Sequence, residues 1–145
     1  MKEKLKEDLI KAMKEKDKGV LNTLRSLKGA IQLEVINNKK EENDELIMDI
    51  ITKQIKMREA SIGEFKKANR EDLIISYQKE IDILKSYMPK ELTIDEVTEI
   101  INDVFNKLNP TSIKDLGSIM KEITPKVKNK FDMKKLNEMI RERLN

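Results

Sequence analysis

Apolar residues recur along nearly the whole chain at spacings of three and four, and no segment alternates as a half-buried strand would. A chain patterned in this way folds by burying helical stripes against one another, so the fold class is all-α. Leu5, Leu9, Ile10 and Met13 make a first stripe, interrupted at Asp17-Lys18-Gly19. Leu21, Leu24, Leu27, Ile31 and Val35 make a second, and the polar stretch from Asn37 to Asp44 reads as a turn. A third and longer helix runs from Leu46 to Phe65 and ends at Ala68-Asn69-Arg70, where Asn69 suits the left-handed conformation. A fourth carries Leu73, Tyr77, Ile81, Leu84 and Met88 and is stopped by Pro89.

Three shorter helices follow. Thr93 with Glu96 fits a capping box, as does Ser112 with Asp115. Pro110 and Pro125 are read as breaks, and Asp132 as the cap of a last helix carrying Leu136, Met139, Ile140 and Leu144. The expected organisation is an N-terminal four-helix domain over residues 1–89 and a small three-helix domain over 90–145.

Composition narrows the chemistry. The 145 residues contain no His, no Cys and only five aromatic residues. Thiol nucleophiles, disulfides, Ser–His triads and histidine-ligated metals are excluded. Carboxylate pairs are abundant, but no zinc spacing, Gly-rich phosphate loop or nucleophile motif accompanies them. No catalytic residue, metal ligand or cofactor site is assigned. No apolar run approaches the roughly 20 residues of a membrane span. The opening residues are charged and lack the apolar core of a secretory signal, so cytoplasm is the default location, and a monomer the default state.

Thirty basic against 27 acidic residues leave a mild net charge of +3, but the charge is unevenly placed. Residues 126–135 hold five Lys and a single Asp. Lys126, Lys128, Lys130, Lys134 and Lys135, with Lys114 nearby in sequence, are the candidate nucleic-acid-binding residues. An exposed basic loop between two helices contacts phosphates in a salt-sensitive way. The alternative is a solvated charged loop. Three arginines have both a structural and a functional reading. Arg25 lies at the edge of a stripe, as a half-buried ion-pair partner or a displayed charge. Arg58 lies between Ile55 and Ile62, inside its stripe, and needs a partner, with Glu80 and Asp82 the candidates. Arg70 opens the fourth helix beside Glu71 and Asp72. Gly29 and Gly117 each sit within a helix at a cost of about 1 kcal/mol relative to Ala. Close helix packing would account for both.

Several blocks, in this order, resemble the GatB/YqeY family, and specifically its stand-alone YqeY-type members. They are Leu24-Arg25 through Ala30-Ile31, Arg58-Glu59 with Ser61-Ile62 and Glu64-Phe65, and Ala68 with Arg70-Glu71-Asp72-Leu73. Glu80-Ile81, Leu84, Tyr87 and Pro89 continue the match, and Lys114-Asp115, Gly117, Met120 and Pro125-Lys126-Val127-Lys128 complete it. The resemblance implies a helical domain followed by a small three-helix domain. It also implies similarity to the tail of the GatB subunit of the tRNA-dependent amidotransferase, which helps hold tRNA. A family label of carbon–nitrogen ligase with glutamine as amido donor would then be inherited without the catalytic part. Where the family continues Gly-Arg-Ala-Asp-Gly, this chain reads Asn129-Lys130-Phe131-Asp132-Met133. Asn129 can supply a positive φ, and Lys130 keeps the charge without the bidentate fork of Arg. The expected function is a non-catalytic tRNA-binding accessory module. The alternative is a protein-interaction module docking on an amidotransferase or an aminoacyl-tRNA synthetase without RNA contact.

Overall fold

A computed structural model describes residues 1–145. The chain is all-helical, with seven α-helices and no strand: α1 (Lys2–Glu15), α2 (Lys18–Asn38), α3 (Asp44–Lys67), α4 (Glu71–Lys85), α5 (Ile94–Leu108), α6 (Leu116–Val127) and α7 (Met133–Leu144). One 3-10 turn, Ile113–Asp115, precedes α6. The residues divide into two compact units, Met1–Met88 and Pro89–Asn145.

In the first unit, α3 and α4 form the most extensive helix pair, and α2 packs on both. Leu27 and Ile31 of α2, Ile47 and Ile51 of α3, and Ile81 and Leu84 of α4 are fully enclosed. Local chemistry sets the ends. Asp17 and Asn43 cap α2 and α3 by accepting from the backbone N–H groups of Val20 and Leu46. Asn69 turns the chain out of α3 at φ 55°, as its side chain allows. The turn expected from Asn37 begins later, because α2 continues through Asn38.

Two expectations fail in this unit. Ile10 and Met13, written as core by their spacing, are 44% and 52% exposed, and the fully buried residue of α1 is Ala12. The α1 stripe is wider than the surface α2 offers it. Gly29 does not mark a close helix approach: a Cβ there would meet nothing within 4 Å. Gly29→Ala is therefore expected to raise stability by about 1 kcal/mol, because it removes backbone entropy without a clash. A urea midpoint that falls would show that something not evident in the fold needs that glycine.

The second unit encloses Val97, Ile101, Val104, Ile119, Ile123, Val127, Leu136 and Ile140. Thr93 and Glu96 make the reciprocal capping box that opens α5. Ser112 and Asp115 make a second, closed over the 3-10 turn. The break expected at Pro125 does not occur there. Pro125 lies inside α6, which runs on to Val127. Its fixed φ is helical, and its missing N–H costs one bond only two residues before the helix ends. The Val127 side chain, 0% exposed, holds that last turn in the core. Burying a side chain of this size contributes about 1.5–3 kcal/mol. Gly117, like Gly29, has open space where a Cβ would be.

Candidate nucleic-acid interface

The basic segment is a helix–loop–helix corner rather than a single loop. Lys126 belongs to the last turn of α6, and Lys128 is its C-cap residue. Asn129 then takes φ 64°, a left-handed geometry that Asn tolerates better than most side chains. Lys130 follows with its N–H donated to the carbonyl of Val127 at 2.9 Å, while its own carbonyl accepts from Leu92 N–H at 2.8 Å. Phe131 packs against the core of the unit. Asp132 caps α7, its Oδ1 accepting from the N–H groups of Lys134 and Lys135 at 2.9 and 3.4 Å. The side chains of Lys126, Lys128, Lys130, Lys134 and Lys135 are all exposed.

The five lysines of this corner have a single carboxylate among them, the N-cap Asp132. No acidic residue occupies the first turn of α7; Lys134 and Lys135 stand there instead. Cations beside the positive end of a helix dipole are unfavourable by a few tenths of a kcal/mol to about 1 kcal/mol each. An anion at this corner relieves that repulsion through the lysine side chains, since the N–H groups of Lys134 and Lys135 are already taken by Asp132. The carboxylate beside Lys126 is Glu122, one turn earlier on α6. Lys107 of α5 pairs with it and, with a smaller contribution from Lys126, holds that carboxyl below the usual range. Spacing along the sequence did not show this neighbour, because Lys107 arrives from another helix.

Lys114 is not part of the corner. It lies in the 3-10 turn before α6, twelve residues ahead of Lys126, or about 18 Å along a helix. Its neighbour Asp115 accepts from the N–H groups of Thr111 and Ser112, which hold its carboxyl below the ordinary range. That end of α6 is therefore a closed turn.

The three arginines belong to the first unit, and the structure gives each a different setting. Arg58 is the enclosed one, its side chain 12% exposed. It donates to the carbonyl and the side-chain oxygen of Gln54 at 3.2 and 2.7 Å, and faces Glu80 at 3.6 Å. Asp82, the other candidate partner, accepts instead from Gln78. The Nε of Arg58 is buried without an acceptor. Glu80→Ala should therefore destabilise the protein by about 1–3 kcal/mol, because it strands a guanidinium. Arg58→Met, which removes the charge and keeps the stem, should cost less. Urea unfolding of the two variants in the opposite order would refute this. Arg70 is exposed and bound through its fork to Asp72, at 3.2 and 3.1 Å. That pairing raises the pKa of Arg70 and lowers that of Asp72. Arg25 is exposed and makes no ion pair, so the half-buried structural reading does not hold for it. The periodicity had placed it at a stripe edge, but α2 turns that edge to solvent.

Comparison with known proteins fits the whole length. The Yqey-like protein family model matches residues 2–144. The chain belongs to the YqeY-like family. Curated relatives of this YqeY-like chain carry the name Altered inheritance of mitochondria protein 41, mitochondrial. The one from Pyrenophora tritici-repentis is 32% identical over 148 residues, covering 94% of this chain and 79% of the relative. A Saccharomyces cerevisiae relative is 36% identical over 126 residues, covering 82% of this chain and 68% of the relative. A third, from Kluyveromyces lactis, is 40% identical over 84 residues, covering 57% and 45%. These names correct the cytoplasmic expectation, since all three relatives are named as mitochondrial. That expectation rested on the missing apolar signal core and on default, and a cellular address is not encoded in the helical core that defines the YqeY-like fold.

Proposed function

We propose that this YqeY-like chain is a non-catalytic, tRNA-binding accessory module, similar to the GatB tail and linked to tRNA-dependent amidation. The proposal reads its two compact units as an N-terminal four-helix domain and a small three-helix C-terminal domain. The contact surface is the α6–α7 corner. One observation carries the reading: five exposed Lys fall within ten residues, and the single carboxylate among them, Asp132, is turned to its own backbone. Exposed lysines contact phosphates through their charge, and they position a nucleic acid without reading its sequence. The relatives' names favour a mitochondrial setting.

The test is a salt titration of affinity for tRNA, duplex DNA and heparin, using the full chain. Affinity for tRNA that falls steeply with salt, and exceeds that for the other two at matched ionic strength, supports the reading. Equal affinity for all three overturns the tRNA assignment. Absence of binding at 50 mM salt, on the order of the lowest used for such interfaces, overturns the whole proposal.

A further inference from the structure

Joined by Lys16 and Asp17 alone, α1 and α2 pack against each other and leave a groove of about 430 Å³ along one side. Such a volume lies in the range of sites that take a ligand or an anchoring side chain. Leu5 and Leu9 of α1 and Leu24 and Ile31 of α2 line it, with Lys6 and Lys28 on opposite lips. Neither of these two lysines makes an ion pair. Lys2 does, with Glu42 at 3.6 Å, so that end of the groove is electrically closed. Glu3 is the remaining carboxylate in the wall, on the α1 side. Arg25, also unpaired, stands three residues from Lys28 on the same flank of α2 and extends the basic lip.

The apolar line does not stop at the pocket. Met13 continues Leu5 and Leu9 at i+4 spacing, so the three share one face of α1 over about 12 Å. Met13 is 52% exposed and its neighbour Ile10 44%. Flexible, exposed methionine is typical of surfaces that take apolar side chains. A linear apolar track of two to three helical turns, lined by unpaired cations, matches one recognition mode. In that mode an amphipathic helix lays its i, i+3/i+4, i+7 anchors into a groove.

We propose that the α1–α2 groove receives an amphipathic helix of a partner protein, with carboxylates flanking its apolar face. The track outruns the enclosed pocket, which a helix uses and a small amphiphile does not. The lips supply the charge complementarity that fixes orientation and raises the on-rate. This site is separate from the α6–α7 corner and does not depend on the RNA reading.

The test uses the full chain and a labelled synthetic 18-residue helix, with Leu on one face and Glu on both flanks, followed by fluorescence anisotropy. Binding is expected, with a loss of about tenfold or more in the Lys6→Glu, Lys28→Glu double variant, as for desolvated charge pairs. Met13→Glu is expected to weaken it too, while Lys126→Glu with Lys128→Glu leaves it unchanged. A second peptide carrying Lys for Glu should prefer the double variant. These substitutions are at exposed positions, and far-UV circular dichroism checks the fold. No peptide binding, or equal binding by all variants, overturns the proposal. So does saturable binding of dodecanoate without the peptide, and so does a dimer in sedimentation that the double variant dissociates.

Discussion

Replacing Lys126, Lys128 and Lys130 together by Glu is expected to abolish binding to tRNA. The substitutions take residues 126–135 from a net +4, five Lys against Asp132, to −2. If all five lysines neutralise phosphates, the logarithmic salt slope of the wild type is about −4.5, and affinity falls roughly 500-fold between 50 and 200 mM salt. The triple variant retains at most two such contacts, with a slope of about −1.8 and a fall of roughly tenfold. It also places three carboxylates where phosphates would stand. The fold should be untouched, because all three side chains lie at the surface of the corner. Lys114→Glu should have little effect, since it lies at the far end of α6. Binding that survives the triple substitution with an unchanged salt slope would remove the corner as the interface.

The other large effect is structural. Leu136→Ala should cost about 2–5 kcal/mol, the lost transfer energy plus the cavity left behind. Leu136 is 0% exposed and belongs to a core of eight buried residues. The unit around it spans only Pro89–Asn145. A unit of that size has a stability of roughly 3–9 kcal/mol. The substitution therefore removes a large share of it, and hydrogen-exchange protection in α5–α7 should collapse. Ile113→Ala, at a position 44% exposed in the same unit, should change stability by at most about 0.5 kcal/mol. If the two variants prove equally stable, the packing described for this core is wrong. RNA affinity should follow the Leu136→Ala loss of structure, whereas the lysine substitutions remove affinity with structure intact. That contrast separates the charge of the corner from its scaffold.

Where a feature depends on neighbours close in sequence, the residues alone were informative. Thr93 and Glu96 cap reciprocally, and Asn69 and Asn129 adopt positive φ, because each needs only its own few residues. The need of Arg58 for a carboxylate followed from its place inside a stripe, and Glu80 proved to be the partner. Features that depend on which helix lies across the way were not legible. Pro125 stays helical because Val127 has a core to enter. Ile10 and Met13 stay exposed because α2 does not cover them. Gly29 faces solvent where packing had been expected. Lys107 reaches Glu122 across fourteen intervening residues, altering the charge beside the corner.

The same division runs through the functional reading. By itself the sequence determined the helical class, the absence of thiol and imidazole chemistry, the positions of the caps and the local excess of lysine. These follow from composition, from apolar period and from hydrogen bonds within a turn or two. Only the tertiary structure decided that Lys114 stands apart from the other lysines, that Arg58 is paired and Arg25 free, and that an apolar groove with basic lips opens between α1 and α2. Such properties are set by which faces meet across long sequence separations, and periodicity describes one helix at a time.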